Sequence, residues 1–304
     1  MKSMIAAALA LAASPAAGAD LAPLRRDYGD RLVATAYVNG VGPMDFLIDT
    51  GATTDVVFDN IRARIALPEP SGAAAVISFA GLKAAPRVLL DRIDVGSAQR
   101  ESVSAVLLGD WEMFARTPQG VLGLDFLKET TVLIDAAAGR LSALDADGMR
   151  KADATWIETT LRPTTFGLVD EPLLLADVRI DGAPAEALLD TGAESSVCNL
   201  AAIRKLKTVP PVRAIEREVA DAHGGVLKSY QLSVSRFEIG DLSFDGASIL
   251  VSDAPFFESI GYRERPFCVL GLDFLARQPF AVDRRGLRLI FQVSRGDAPR
   301  VRNR

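Results

Sequence analysis

Twice in this sequence an apolar run ends in Asp-Thr-Gly-Ala: "FLIDTGATTDVV" at residues 46–57 and "ALLDTGAESSVC" at residues 187–198. A chance Asp-Thr-Gly is expected in roughly one chain in twenty of this length, so two with matching flanks need a cause. An acid closing an apolar strand is costly to bury unpaired, which makes a purely turn-forming role a poor explanation of Asp49 and Asp190. Two carboxylates in contact cannot both ionise cheaply and share a proton. One then acts as a base toward a water held between them, and the other as an acid toward a carbonyl oxygen. Gly51 and Gly192 permit a tight turn with backbone beside the acids, while the Thr50 and Thr191 hydroxyls can hydrogen-bond across the junction. The chemistry offered is addition of water to an amide.

Something must bring the two acids together, and the rest of the sequence supplies it as a duplication. "GPMDFLIDTGA" matches "APAEALLDTGA", "IRARIALP" matches "IRKLKTVP", "RIDVG" matches "FEIG", and "GVLGLDFL" matches "CVLGLDFL", all in the same order. The spacing drifts only from 141 to 148 residues, as loop insertions would make it. One ancestral unit has been repeated. Between these landmarks "RLVATAYV", "AAAVISF", "RVLLDRIDV", "ESVSAVLL" and "TTVLID" read as short Val- and Ile-rich strands. Short helices are expected at "DNIRARIAL", "NLAAIRKLK", "LDFLKE" and "LDFLARQ". Each half closes on a hairpin pattern with Gly139 or Gly286 at the turn. The expected fold is mostly β, two duplicated barrel lobes with a cleft between them. The N-terminal lobe spans 20–148 and the C-terminal lobe 158–304, the latter with a short basic tail. A linker at 149–157 falls in a polar stretch without apolar periodicity.

The chain resembles the aspartic proteases, and among them the retropepsin-like family. There an apolar-apolar-Asp-Thr-Gly-Ala loop is followed, after a flap hairpin, by an apolar-apolar-Gly motif and a short helix. Here "LIDTGA" and "LLDTGA" match the first element, and "VLG" at 121–123 and at 269–271 matches the second. The resemblance runs from Arg31 to Val293 and implies an aspartic endopeptidase with Asp49 and Asp190 as the catalytic pair. Thr50, Gly51, Ala52, Thr191, Gly192 and Ala193 would support the active-site loops. It also implies that the strands of Cys198 and Cys268 share a small sheet behind the second loop. Retroviral members assemble the site from two chains, whereas this chain holds both halves and is expected to work as a monomer.

The two halves differ where substrate choice should reside. Thr53 follows the first Ala and Glu194 the second, at positions that reach toward substrate backbone in the resembled family. Flap segments are expected around Gly81 and around Gly224 and Gly225. His223, the one histidine, sits in the second flap turn with no nucleophile or ligand set beside it. The loop before the second "VLG" is the longer and carries Phe256, Phe257 and Tyr262, which suits either a cleft wall or packing on its own lobe. Pepsin-like enzymes often carry Ser or Thr where Ala52 and Ala193 stand. Without that hydroxyl, activity is expected to peak at about pH 5 to 6.

The 304 residues are 49% hydrophobic and 24% charged, enough for two real cores. The net charge of −5 offers no global field for nucleic acid or an anionic membrane. Residues 1–19 read as a secretory signal peptide, with Lys2, an apolar run and Ala17-Gly18-Ala19, too short to span a bilayer. A secreted or periplasmic protein without stable membrane insertion is expected, acting on a peptide or protein and requiring no cofactor or metal. Cys198 and Cys268 suit either a bridge or two buried thiols. Two other readings compete. One is a non-catalytic peptide-binding module on the same fold. The other is an actin-like phosphotransferase or ATPase, also duplicated and also with Asp-x-Gly turns, but expected to be rich in helix.

Overall fold

The computed structural model describes residues 20–78, 81–111, 116–127, 131–144, 149, 155–166, 172–206, 215–220 and 226–293. The expected signal peptide, the tips of both flaps with Gly224, Gly225 and His223, and the basic tail lie outside them.

Among the described residues each lobe contributes ten strands in the same order. In the first these are β1 (Asp20–Asp27), β2 (Arg31–Val38), β3 (Val41–Ile48), β4 (Val56–Phe58), β5 (Gly72–Ser78), β6 (Gly81–Val95), β7 (Ala98–Leu108), β8 (Gly120–Leu122), β9 (Val132–Asp135) and β10 (Arg140–Ala143). In the second they are β11 (Thr155–Thr164), β12 (Leu173–Ile180), β13 (Ala183–Leu189), β14 (Val197–Asn199), β15 (Ile215–Ala220), β16 (Val226–Ile239), β17 (Leu242–Ser252), β18 (Phe267–Leu270), β19 (Phe280–Asp283) and β20 (Arg288–Val293). Among the described residues of the second lobe stand three short helices: α1 (Leu200–Arg204), α2 (Pro255–Ser259) and α3 (Leu272–Leu275).

Pairing closes a barrel in each lobe. In the first, β2, β3, β8, β4, β7 and β6 follow one another and β6 returns to β2. In the second, β12, β13, β18, β14, β17 and β16 repeat that circuit. Closure removes the open edges that a sheet of short strands would leave. The hairpins that start each circuit turn on Asn39-Gly40 and Asp181-Gly182, all four at positive φ, which matches strand twist in a two-residue turn. Strand β11 begins at Thr155, so three residues assigned to the linker are sheet.

The expected helices are partly realised. "DNIRARIAL" forms a 3₁₀ turn at Asp59–Ala63, and α1 and α3 fall at "NLAAIRKLK" and "LDFLARQ". Residues 124–127, the twin of α3, are a turn instead. At the closing hairpins Gly139 has φ 64°, but in the second it is Leu287, at φ 50°, rather than Gly286 that turns left-handed.

The barrels solve the same packing problem with opposite volumes. In the first lobe Phe46 lies beside Gly120, and a Cβ on Gly120 would strike the ring. In the second the pair is Ala187 beside Cys268, and Cys268 faces Cys198 at a Cα separation of 4.0 Å. Where alanine vacates the space of a phenylalanine, a disulfide fills it. Cys198 and Cys268 are bridged and wholly buried. The two lobes join through a six-stranded sheet in the order β1-β10-β9-β19-β20-β11, with Ile134 opposite Phe280 at its centre. No helix of the described residues is long and apolar enough to cross a membrane.

Candidate active site

Strands β3 and β13 run apolar and buried up to Ile48 and Leu189, then release the chain into the two Asp-Thr-Gly loops. Each loop is fastened to the apolar-apolar-Gly motif of its own lobe. The Asp49 amide donates to the Leu122 carbonyl at 3.0 Å and the Asp190 amide to that of Leu270 at 3.0 Å. Further round, Leu124 donates to the Ala52 carbonyl and Leu272 to the Ala193 carbonyl, both at 2.9 Å. Gly123 and Gly271 allow this approach, because a Cβ there would come within 2.6 Å of the Thr54 oxygen or 2.8 Å of the Ala193 oxygen.

Across the lobe junction the threonines lock the loops reciprocally. The Thr50 amide donates to Thr191 Oγ1 at 3.0 Å, and the Thr191 amide to Thr50 Oγ1 at 3.1 Å. Thr191 Oγ1 also donates to the Ile48 carbonyl at 2.7 Å. Both side chains are completely buried, so each lost bond would leave a polar group unsatisfied. The glycines of the triplets face the opposite acid. A Cβ on Gly51 would lie 2.6 Å from Asp190 Cγ, and one on Gly192 would collide with the Asp49 carboxylate. Only glycine lets the two carboxyls meet.

Asp49 and Asp190 are hydrogen-bonded to each other at the floor of the junction. Burial raises both above the ordinary carboxylate range. Asp49 is held lower by the amides of Gly51, which donates at 2.7 Å, Gly192 and Ala52. Asp190 stands well above the ordinary range, because the charge on Asp49 adds to its burial. It also accepts from the Ala193 amide at 3.0 Å. Burial and the charge each acid would place on the other favour a single proton shared by the pair.

Of the other expected site residues, Ala52 and Ala193 contribute backbone groups only, an amide toward the acids and a carbonyl toward Leu124 or Leu272. Thr53 is half-buried on the first loop. Gly81 opens β6 at φ 111° in the β5–β6 hairpin, where Ser78 pairs with it. The second flap is the β15–β16 hairpin. Glu194 is engaged across the junction by Arg31 of the first lobe, whose guanidinium also donates to the Gly192 carbonyl at 2.8 Å. Nothing in the sequence reading singled out Arg31. Its signal was a lone cation opening the apolar strand "RLVATAYV". Phe256, Phe257 and Tyr262 are buried, Phe257 and Tyr262 against Phe267 and Phe256 against Phe257, while α2 itself touches the β5–β6 hairpin of the first lobe. Their rings are packed into the core, and the helix that carries Phe256 and Phe257 meets the first lobe's flap hairpin.

Two family models match the chain. Residues 34–126 match the aspartyl protease family, and residues 176–277 match the gag-polyprotein type of aspartyl protease. Each match takes in one loop, one flap and one Val-Leu-Gly motif. No curated protein sequence matches the chain. The paired barrels, with little helix among the described residues, exclude an actin-like fold. With both matches centred on the duplicated loops and both barrels closed in the same circuit, the chain belongs to the retropepsin-like aspartyl proteases, with its two half-domains in tandem.

Proposed function

We propose that the protein is an aspartic endopeptidase in which Asp49 and Asp190 hydrolyse a peptide bond through one shared proton and one water. The observation that carries this reading is the contact between the two acids, each pressed by the triplet glycine of the other lobe. With the shared proton on Asp190, Asp49 takes a proton from water as its oxygen attacks the peptide carbonyl carbon. Asp190 gives its proton to the carbonyl oxygen, and a tetrahedral diol forms. Asp49 then passes its proton to the amide nitrogen and Asp190 recovers one from a diol hydroxyl. The C–N bond breaks and both acids return to their starting state. The fixed Gly51 and Ala193 amides keep the carboxyls aligned throughout.

The purified protein offered a diverse peptide pool should cleave it in the presence of a chelator. Its specific activity should stay constant on dilution through the nanomolar range, since one chain carries both acids. Peptide binding without cleavage would favour the non-catalytic module instead. Activity lost on chelation, or falling in proportion to concentration, would overturn the single-chain two-acid site. Export is part of the same reading, and the Cys198–Cys268 bridge supports it, because such bridges persist in oxidising compartments.

The pH optimum should lie at about pH 5 to 6, because catalysis needs one proton on a pair that burial has raised. A hydroxyl at Ala52→Ser or Ala193→Ser would donate to the carboxylate and favour its charged form. The alkaline limb of kcat/KM should then move down by about half a pH unit or more. A limb that stays put or moves up would count against the hydrogen-bond explanation.

A further inference from the structure

Beneath the first active-site loop lies a second carboxyl pair that the proposed chemistry does not use. Asp55 is 1% exposed, and its Oδ1 accepts from the Gly123 amide at 2.8 Å. Its carboxyl is hydrogen-bonded to that of Asp125, on the turn after β8. Asp125 accepts in addition from the Phe126 amide at 2.9 Å and from the Thr54 hydroxyl at 3.3 Å.

The duplication provides the comparison. At the twin positions stand Ser196 and Asp273. Ser196 Oγ accepts from the Gly271 amide at 2.9 Å and donates to Asp273 Oδ1 at 2.7 Å. Both lobes thus fasten the active-site loop to the glycine of the Val-Leu-Gly motif and to an acid. A hydroxyl always carries the proton it donates. A carboxyl can donate to a second carboxyl only while the pair retains a proton.

We propose that Asp55 is a positioning residue that, with Asp125, forms a proton-dependent clasp on the first active-site loop, whereas Ser196 makes the second loop's clasp proton-independent. When the pair loses its proton, two buried charges repel and Asp55 withdraws from the Gly123 amide. The strain passes to Asp49, because Gly123 lies under the Ala52 and Thr54 carbonyls and the preceding Leu122 holds the Asp49 amide. Arg100 of β7 is the cation that acts on Asp55, and Arg284 of the β19–β20 turn is held at the backbone of the residue before Asp125. Arg100 donates to the Phe126 carbonyl at 3.2 and 3.0 Å, and Arg284 to the Leu124 carbonyl at 2.8 Å. Arg100 favours ionisation, but burial and the charge of Asp125 outweigh it and hold Asp55 well above the ordinary carboxylate range.

The effect on catalysis rests on the protease reading; the effect on stability does not, which keeps the two separable. The test is Asp55→Ser, which copies the second lobe, followed by Tm and by kcat/KM against pH. In the native chain the folded state keeps a proton that the unfolded chain releases near pH 4, so stability falls as pH rises through the pair's raised pKa. In Asp55→Ser the fall in Tm between pH 5 and 8 should shrink by about 3 °C or more. At pH 5 kcat/KM should stay within about threefold of the native value, and its alkaline limb should extend upward, since one proton is lost there instead of two. Parallel Tm profiles would overturn the clasp. A flattened Tm profile with an unmoved limb would overturn the positioning role. If Asp55→Ser does not fold, Asp125→Asn decides: its amide donates to Asp55 without titrating, so a flattened profile supports the clasp and an unchanged one refutes it.

Discussion

Asparagine at Asp49 or Asp190 should lower kcat/KM on the order of 10³-fold or more, without lowering the Tm at pH 7. The replacement keeps the shape of the side chain and an oxygen for the Gly51 or Ala193 amide to reach. It removes the one capacity the chemistry requires, which is taking and returning a proton at that oxygen. The sign of the stability effect follows from the raised pKa of both acids. A group raised in the folded state contributes its stability at low pH and loses it as pH rises through the folded value. At pH 7 the native pair carries that cost, and Asp190→Asn, which leaves one buried acid where two compete, should be at least as stable as the native chain. At pH 4 the advantage should vanish. Calorimetry at both pH values beside a peptide assay checks both halves. Residual activity within tenfold of the native enzyme would mean that the chemistry lies elsewhere.

The second large effect concerns the bridge. Replacing both Cys198 and Cys268 with alanine should cost about 4 kcal/mol, because the bridge closes a loop of 70 residues. For a chain of this size that is a fall in Tm of roughly 10 °C. Cys268 sits on β18, whose Leu270 pairs with Leu189 next to Asp190, so thermal loss of activity should track unfolding of the second lobe. Because both sulfurs are buried, a reductant should act only once the lobe opens. Equal Tm values for the native and doubly substituted chains would show that Ala187 and its neighbours collapse to fill the gap.

Much of this architecture was legible because duplication doubles every signal. Two Asp-Thr-Gly loops and two Val-Leu-Gly motifs, in order, specify paired barrels and two facing acids. Strands bounded by turn residues were visible too: Arg31–Val38 was read to the residue. What escaped was whatever depends on contact between distant segments. β1 is polar enough to pass as a tail, since it is sheet only by leaning on β10 and then β2. The lobe-joining role of Arg31 depends on Glu194, far along the chain, and no local pattern announces it. Asp55 was visible as a residue, but its meaning required setting it against Ser196, a comparison that the alignment of the repeats already permitted. The choice between a bridge and two thiols turned on the register of β14 and β18, which sequence does not state.

The sheet that unites the lobes also sets a timetable. Residues Val132–Asp135 are synthesised long before Phe280–Asp283, yet β9 completes its hydrogen bonding only on β19. Until β19 docks, β9 has an unpaired edge, the kind of edge that recruits any available strand. The strand that fits it best belongs to the same position of a second nascent copy, because β9 and β19 descend from one ancestor. A half-made chain thus presents the docking surface of a homodimer, and fusing the two halves gives the correct partner a local concentration that a separate chain must find by diffusion.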